Sequence, residues 1–136
     1  MATKAKVDEI EKTAENTRVE PIRFSYKDSD SQYTLEFSRA TVKFAEKNGF
    51  PLTPFNADTI IQEKPFTILE DLFYYSFQMH HRGINKATTD KILYEDFGGM
   101  SEEVIARLTA LYIQAYVSLI NVDEGKAKNP NLIVEL

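Results

Sequence analysis

His80 and His81 are the only two histidines, so they are the first groups to test for chemistry. Adjacent side chains on a helix diverge by about 100°, because one turn takes about 3.6 residues. They cannot close on one metal ion as histidines four apart do. No carboxylate lies three or four residues from either, and there is no H-E-x-x-H pattern. The run His80-His81-Arg82-Gly83 reads instead as the end of a helix, with basic groups at the negative end of the dipole and glycine past the cap.

Carboxylates offer no better start. Glu70 and Asp71 are neighbours on an apolar stretch and would diverge, whereas paired catalytic carboxylates need a defined separation across a cleft. Glu102 and Glu103 complement a helix N-terminus. Ser25, Ser38, Ser76, Ser101 and Ser118 lack a G-x-S-x-G setting, and no phosphate-binding glycine loop or EF-hand pattern occurs. The absence of cysteine removes thiolate zinc sites, cysteine nucleophiles and disulfide scaffolds, and it fits a reducing compartment. The expectation is therefore a protein that is not an enzyme, with no catalytic residue, metal ligand or cofactor.

Nucleic acid is disfavoured on charge. Twenty-one Asp and Glu against 16 Lys and Arg give a net charge of −5, while phosphate neutralisation supplies most DNA affinity. A helix-turn-helix layout can be drawn from a helix over 90–97, Gly98-Gly99 and a helix over 102–121. Its second helix would meet the phosphates with Glu102 and Glu103. A small DNA-binding regulator is thus the alternative rather than the leading reading. The charged first twenty residues contain no apolar secretory core, and Phe66–Met79 is too short and too charged to span a bilayer. A soluble chain is expected, with no membrane partner.

The elements that must position these groups are legible in the hydropathy pattern. At 136 residues there is room for one modest domain. Residues 1–19 read as a flexible N-terminal arm, 20–125 as the domain and 126–136 as a C-terminal tail in which Leu132-Ile133-Val134 is prone to β structure. Ile22, Phe24 and Tyr26, then Tyr33, Leu35 and Phe37, alternate with polar residues around the cluster Lys27–Ser31, which predicts a β-hairpin. Ser38 is placed to cap a helix over 39–47 that ends at Asn48-Gly49, with Phe50 folding back in a Schellman ending. Pro51 and Pro54 predict a loop over 51–64 with at most one turn near 58–62.

Pro65 opens the main helix, as proline does at a first helical position. Nine of the fourteen residues 66–79 are large and apolar, more than one stripe. Such a helix is either central in its domain or shares a second face with a partner. Thr89 is placed to cap a short helix over 90–97, and Ser101 caps the last one, with Met100 and Ile105 at the positions of a hydrophobic staple. Val104, Leu108, Leu111, Ala115 and Leu119 recur on one face of it. The fold class is mostly α within α+β: about four helices with an N-terminal hairpin.

Interaction is what remains. Seven tyrosines and nine phenylalanines make an exposed apolar surface plausible, with Phe73, Tyr74, Phe77, Tyr112 and Tyr116 as the partner-binding candidates.

The strand Tyr33-Thr34-Leu35-Glu36-Phe37, followed directly by SRATVKFAEKNGF over 38–50, resembles the start of the tail assembly chaperones of long-tailed, siphovirus-type bacteriophages, particularly those of Gram-positive hosts. The resemblance continues through ILEDLFYYSF over 68–77, His80-His81-Arg82, Ile92-Leu93 and the last helix to Asp123-Glu124-Gly125, so it covers residues 20–125. It implies a mostly helical fold with a small β element and a non-enzymatic role in virion assembly, in the cytoplasm of the infected bacterial host. Members bind the tape measure protein, keep it soluble and help tail tube protein polymerise around it. They often self-associate as homo-oligomers, are absent from the mature virion, and many also exist in a longer frameshifted form. The family brings no catalytic motif with it.

Overall fold

Two alternating runs become β1 (Ile22–Ser25) and β2 (Gln32–Leu35), an antiparallel pair in a computed structural model that describes residues 18–119, 128–133 and 135. The register sets Ile22 opposite Leu35 and Phe24 opposite Tyr33, so the apolar side chains of both strands share one face. Phe24 and Tyr33 stack with ring centroids 4.9 Å apart, and that face lies on Phe77 and Phe97. A lone hairpin is marginal in water; this one is held by the helices beneath it.

Ser38 caps α1 (Arg39–Lys47) as its position predicts: its hydroxyl accepts the Thr41 N–H, and the Thr41 hydroxyl accepts the Ser38 N–H. The far end is a Schellman turn, with Phe50 N–H donating to Ala45 O and Gly49 N–H to Glu46 O. Phe50 is carried inward onto Tyr75 and Tyr112. The following segment departs from expectation, because α2 (Ala57–Glu63) is a seven-residue helix rather than a single turn. Asn56 shapes the loop before it, accepting the Thr53 N–H and donating to Pro51 O. Ile60 and Ile61 then pack on the core.

Pro65 starts α3 (Pro65–Ser76) at its first helical position, as expected, and α3 packs against every other helix. It is therefore the central helix, with Ile68, Leu72, Phe73, Tyr75 and Ser76 buried. It stops three residues short of the expected 79. The Ser76 hydroxyl turns back to Phe73 O, the Ser76 carbonyl accepts the Glu36 N–H at 3.0 Å, and Phe77–His80 continue as turns.

α4 (Lys86–Lys91) begins four residues earlier than the Thr89 cap would place it. Asn85 is the cap, accepting the Thr88 N–H at 2.8 Å, while Thr89 is wholly buried and donates to Lys86 O. Burial on the inner face outweighs Thr89's local capping tendency. The chain then widens into a π-helical turn (Ile92–Asp96), where Phe97 N–H reaches back to Ile92 O. Gly98 and Gly99, at φ +71° and +100°, reverse it.

Ser101 caps α5 (Glu102–Val117) through the Val104 N–H. Leu108, Leu111 and Ala115 are buried on the expected face. Leu119 is not, since it follows the helix end and is exposed; the expected continuation over 120–125 lies outside the described residues. Leu132 and Ile133 are exposed and in no strand, and Val134 lies outside the described residues. Val19, assigned to the arm, packs on the core and donates its N–H to Gln114 Oε1 at 2.7 Å. The expected small α+β domain is thus the observed one, with five α-helices among the described residues where about four were counted. Among the described residues no helix is long and apolar enough to cross a membrane.

Candidate partner-binding surface

The five aromatic candidates do not form one surface. Phe73, Phe77 and Tyr112 are completely buried, which corrects their assignment as contact groups: they are core. Phe73 and Phe77 join Phe24 and Phe97 beneath the hairpin, whereas Tyr112 meets Phe37 and Phe50 on the other side of the core. Burial holds the Tyr112 phenol far above its usual range. Tyr74 and Tyr116 are half-buried, beside Tyr75 and Tyr112 respectively, and do not meet each other.

The histidines are not helix caps either. His80 Nε2 lies 2.8 Å from Glu36 Oε1, and His81 Nε2 accepts the Thr34 N–H at 3.1 Å. Both rings hold the second strand and its continuation. His81 has its pKa lowered, first by burial and then by the charge of His80. Its Nε2 lone pair is engaged by the strand, so the neutral ring is the form this contact needs.

The open apolar surface lies elsewhere. A groove of about 190 Å³ runs between the N-terminal turn of α3, the π-helical turn and the N-terminal turn of α5. Pro65, Phe66, Leu69, Leu93, Met100 and Ile105 line it, with Glu70 and Tyr94. Local sequence puts these side chains there for separate reasons. Phe66 follows the proline at the start of α3 and faces away from Ile68 and Leu72. The staple pair Met100 and Ile105 brackets the capped start of α5, and both line the groove as the staple spacing anticipates. Phe66 is 73% exposed and Tyr94 46%; Phe55, at 82%, and Phe44 are also exposed but do not line the groove. The volume is below the roughly 300–1,000 Å³ of pockets for small molecules. The shape suits one or two apolar side chains projecting from a partner.

The groove's polar wall is a tied cluster. Tyr94 donates to Glu70 Oε2, and Lys86 Nζ lies 2.9 Å from Asp90, 3.5 Å from Glu70 and 3.6 Å from Asp71. The hydrogen bond to Glu70, with smaller effects of burial and charge, pushes the Tyr94 phenol to about 12. Burial raises Asp71 against the opposing pull of Lys86. Burial lowers the Lys86 ammonium, but its bond to Asp90 and the charges of Asp90, Asp71 and Glu70 together leave it raised. These groups brace one another, and none of them presents a free nucleophile or base to the groove. Among the described residues no group of three His, Asp or Glu is placed to hold a metal ion.

The missed feature had one sequence signal. Nine large apolar residues in fourteen exceed what a single face can bury, and Phe66 is the surplus at the end least covered by the rest of the chain.

The fold and this surface define a small α+β domain with an open apolar groove. Residues 3–136 match a family model described as Domain of unknown function (DUF5055), and the chain belongs to that family. No curated protein and no solved structure matches the chain.

Proposed function

We propose that this chain is a non-enzymatic tail assembly chaperone of a long-tailed bacteriophage, which covers apolar helical stretches of the tape measure protein and keeps that protein soluble until tail tube protein encloses it. The observation that carries this reading is the exposed Phe66 at the mouth of an apolar groove. A tape measure is a long helical chain whose apolar stripes need temporary cover, and shallow apolar contacts give cover that can be displaced. The resemblance over residues 20–125 points the same way, and the bracing of His80, His81 and Lys86 in structural contacts suits a protein that binds rather than catalyses.

The reading places the protein in the host cytoplasm during assembly, outside the finished virion, self-associating and helping recruit major tail tube protein. Co-expression tests it. The tape measure protein from the same phage should partition to the soluble fraction with this chain and to the pellet without it. Equal precipitation in both cases overturns the proposal. Duplex DNA binding that tightens as salt is lowered would instead favour a small regulator.

A further inference from the structure

The charge of the chain is unevenly placed. The elements that build the groove, residues 64–71 and 86–105, carry seven carboxylates and three lysines, a net −4 out of the −5 of the whole chain. Lys86 and Lys91 are answered already, whereas the exposed Lys64 has no ion pair among the described residues. Lys86 is held among Glu70, Asp71 and Asp90, and Lys91 reaches Glu95 at 3.9 Å. Glu102 and Glu103 are exposed in the first turn of α5, between the groove-lining Met100 and Ile105 in sequence, with no ion-pair partner among the described residues. An apolar groove beside an acidic helix turn is a two-part recognition surface: burial supplies affinity and charge selects the flanking residues.

The walls also say which secondary structure fits. They are the first turns of two helices and a π-helical turn, with no open strand edge to pair with an extended backbone. The occupant must present side chains, as a helix does.

We propose that the groove takes an amphipathic helical segment of the partner protein whose apolar stripe is flanked by lysine or arginine. The inference rests on the chaperone reading for the partner's nature and adds the chemistry of the segment that is recognised. Basic flanks are drawn to the acidic first turn of α5, Glu102 and Glu103, while the stripe covers Phe66 and fills the space between Leu69 and Ile105.

Fluorescence anisotropy on the full chain with three labelled helical peptides of equal length tests it. One carries a leucine stripe flanked by lysines, one the same stripe flanked by glutamates, and one the lysines with the stripe scrambled. The lysine-flanked stripe should bind about tenfold or more tighter than either of the others. Phe66→Ser should abolish that binding, and E102Q/E103Q should shrink the gap between the lysine and glutamate peptides. Equal binding of the two striped peptides, no binding of any, or a preference indifferent to Phe66→Ser overturns the proposal. So does a Phe66→Ser variant that sediments as a smaller species than the parent, which makes the groove an interface between copies. Binding that appears only after Leu132→Ser and Ile133→Ser makes the chain's own tail the occupant and overturns it too. If the parent chain shows no peptide preference while it rescues the tape measure protein, the groove assignment falls and the chaperone stands. A preference that Phe66→Ser abolishes, in a parent chain that does not rescue the tape measure protein, removes the chaperone and leaves the groove.

Discussion

His81 Nε2 accepts the backbone N–H of Thr34 at 3.1 Å, across 47 residues of sequence. Two residues along the chain, Glu36 donates its N–H to Ser76 O. The outward edge of β2 is therefore closed by the chain that leaves α3, not by a third strand. This is how a two-stranded hairpin becomes part of a helical domain: its apolar face lies on Phe77 and Phe97, and its edge is fastened by a histidine.

The contact makes stability depend on pH in a stated direction. His81 has a folded-state pKa below its ordinary 6.5, so the unfolded chain takes up the proton more readily. Its contribution is complete above pH 6.5 and is lost as pH falls from there through the lowered value. The ring faces His80, Tyr33 and Phe77, and among the described residues no carboxylate pairs with it, Glu36 being engaged by His80. Urea midpoints measured on either side of pH 6.5 should show the loss, and His81→Gln should flatten it while costing about 1 kcal/mol at neutral pH. An equal pH slope in the variant means that other groups titrate.

Tyr112 is buried with no hydrogen-bond partner for its hydroxyl among the described residues. Leaving such a group unmatched costs about 1–3 kcal/mol. Tyr112→Phe removes the hydroxyl and keeps the ring against Phe37 and Phe50, so thermal unfolding should show the variant equal to or more stable than the parent. Tyr112→Ala should lose about 3–5 kcal/mol through the cavity it opens. A marked loss in Tyr112→Phe would reveal a partner for the hydroxyl.

Local signals carried most of the elements. The hairpin follows from period-two alternation, and the caps at Ser38 and Ser101 follow from one residue and its neighbours three on. The end of α3 was not legible, because Ser76 O and the His81 ring answer to Glu36 and Thr34, forty and 47 positions earlier, in the second strand and its continuation. The start of α4 was misplaced because Asn85 and Thr89 are both capping types, and only packing shows that Thr89 is inside. Of the aromatic candidates, Phe73, Phe77 and Tyr112 are core, while Tyr74 and Tyr116 are half-buried. Phe73 and Phe66 sit on the same apolar helix, and periodicity alone does not say which end the other elements cover.

The two ends of α1 supply a calibrated pair. Ser38→Ala removes the hydroxyl half of the reciprocal cap, leaving the backbone N–H bond to Thr41 Oγ1, and should cost about 1 kcal/mol. Gly49 has φ +88°, so Gly49→Ala places a side chain in the left-handed region and should cost about 1–2 kcal/mol although its Cβ meets open space. Urea denaturation of both variants checks this. An unchanged Gly49→Ala midpoint would mean that the Schellman turn is not held in solution.

Phe66 and Phe73 separate binding from folding on a single helix. Phe73 is fully buried between Phe77 and Phe97, and Phe73→Ala should cost about 3–5 kcal/mol, a large part of the stability of a domain this size. Phe66 is 73% exposed, so Phe66→Ser should move the unfolding midpoint by no more than about 0.5 kcal/mol. Client retention should show the opposite weighting. Folded Phe66→Ser should leave co-expressed tape measure protein in the pellet, because it removes the ring at the mouth of the groove and nothing from the core. Phe73→Ala should reduce retention only in proportion to the chain that unfolds. A stable Phe66→Ser that still holds the client would move the binding surface away from this groove, and one that unfolds would show that the ring is covered in solution.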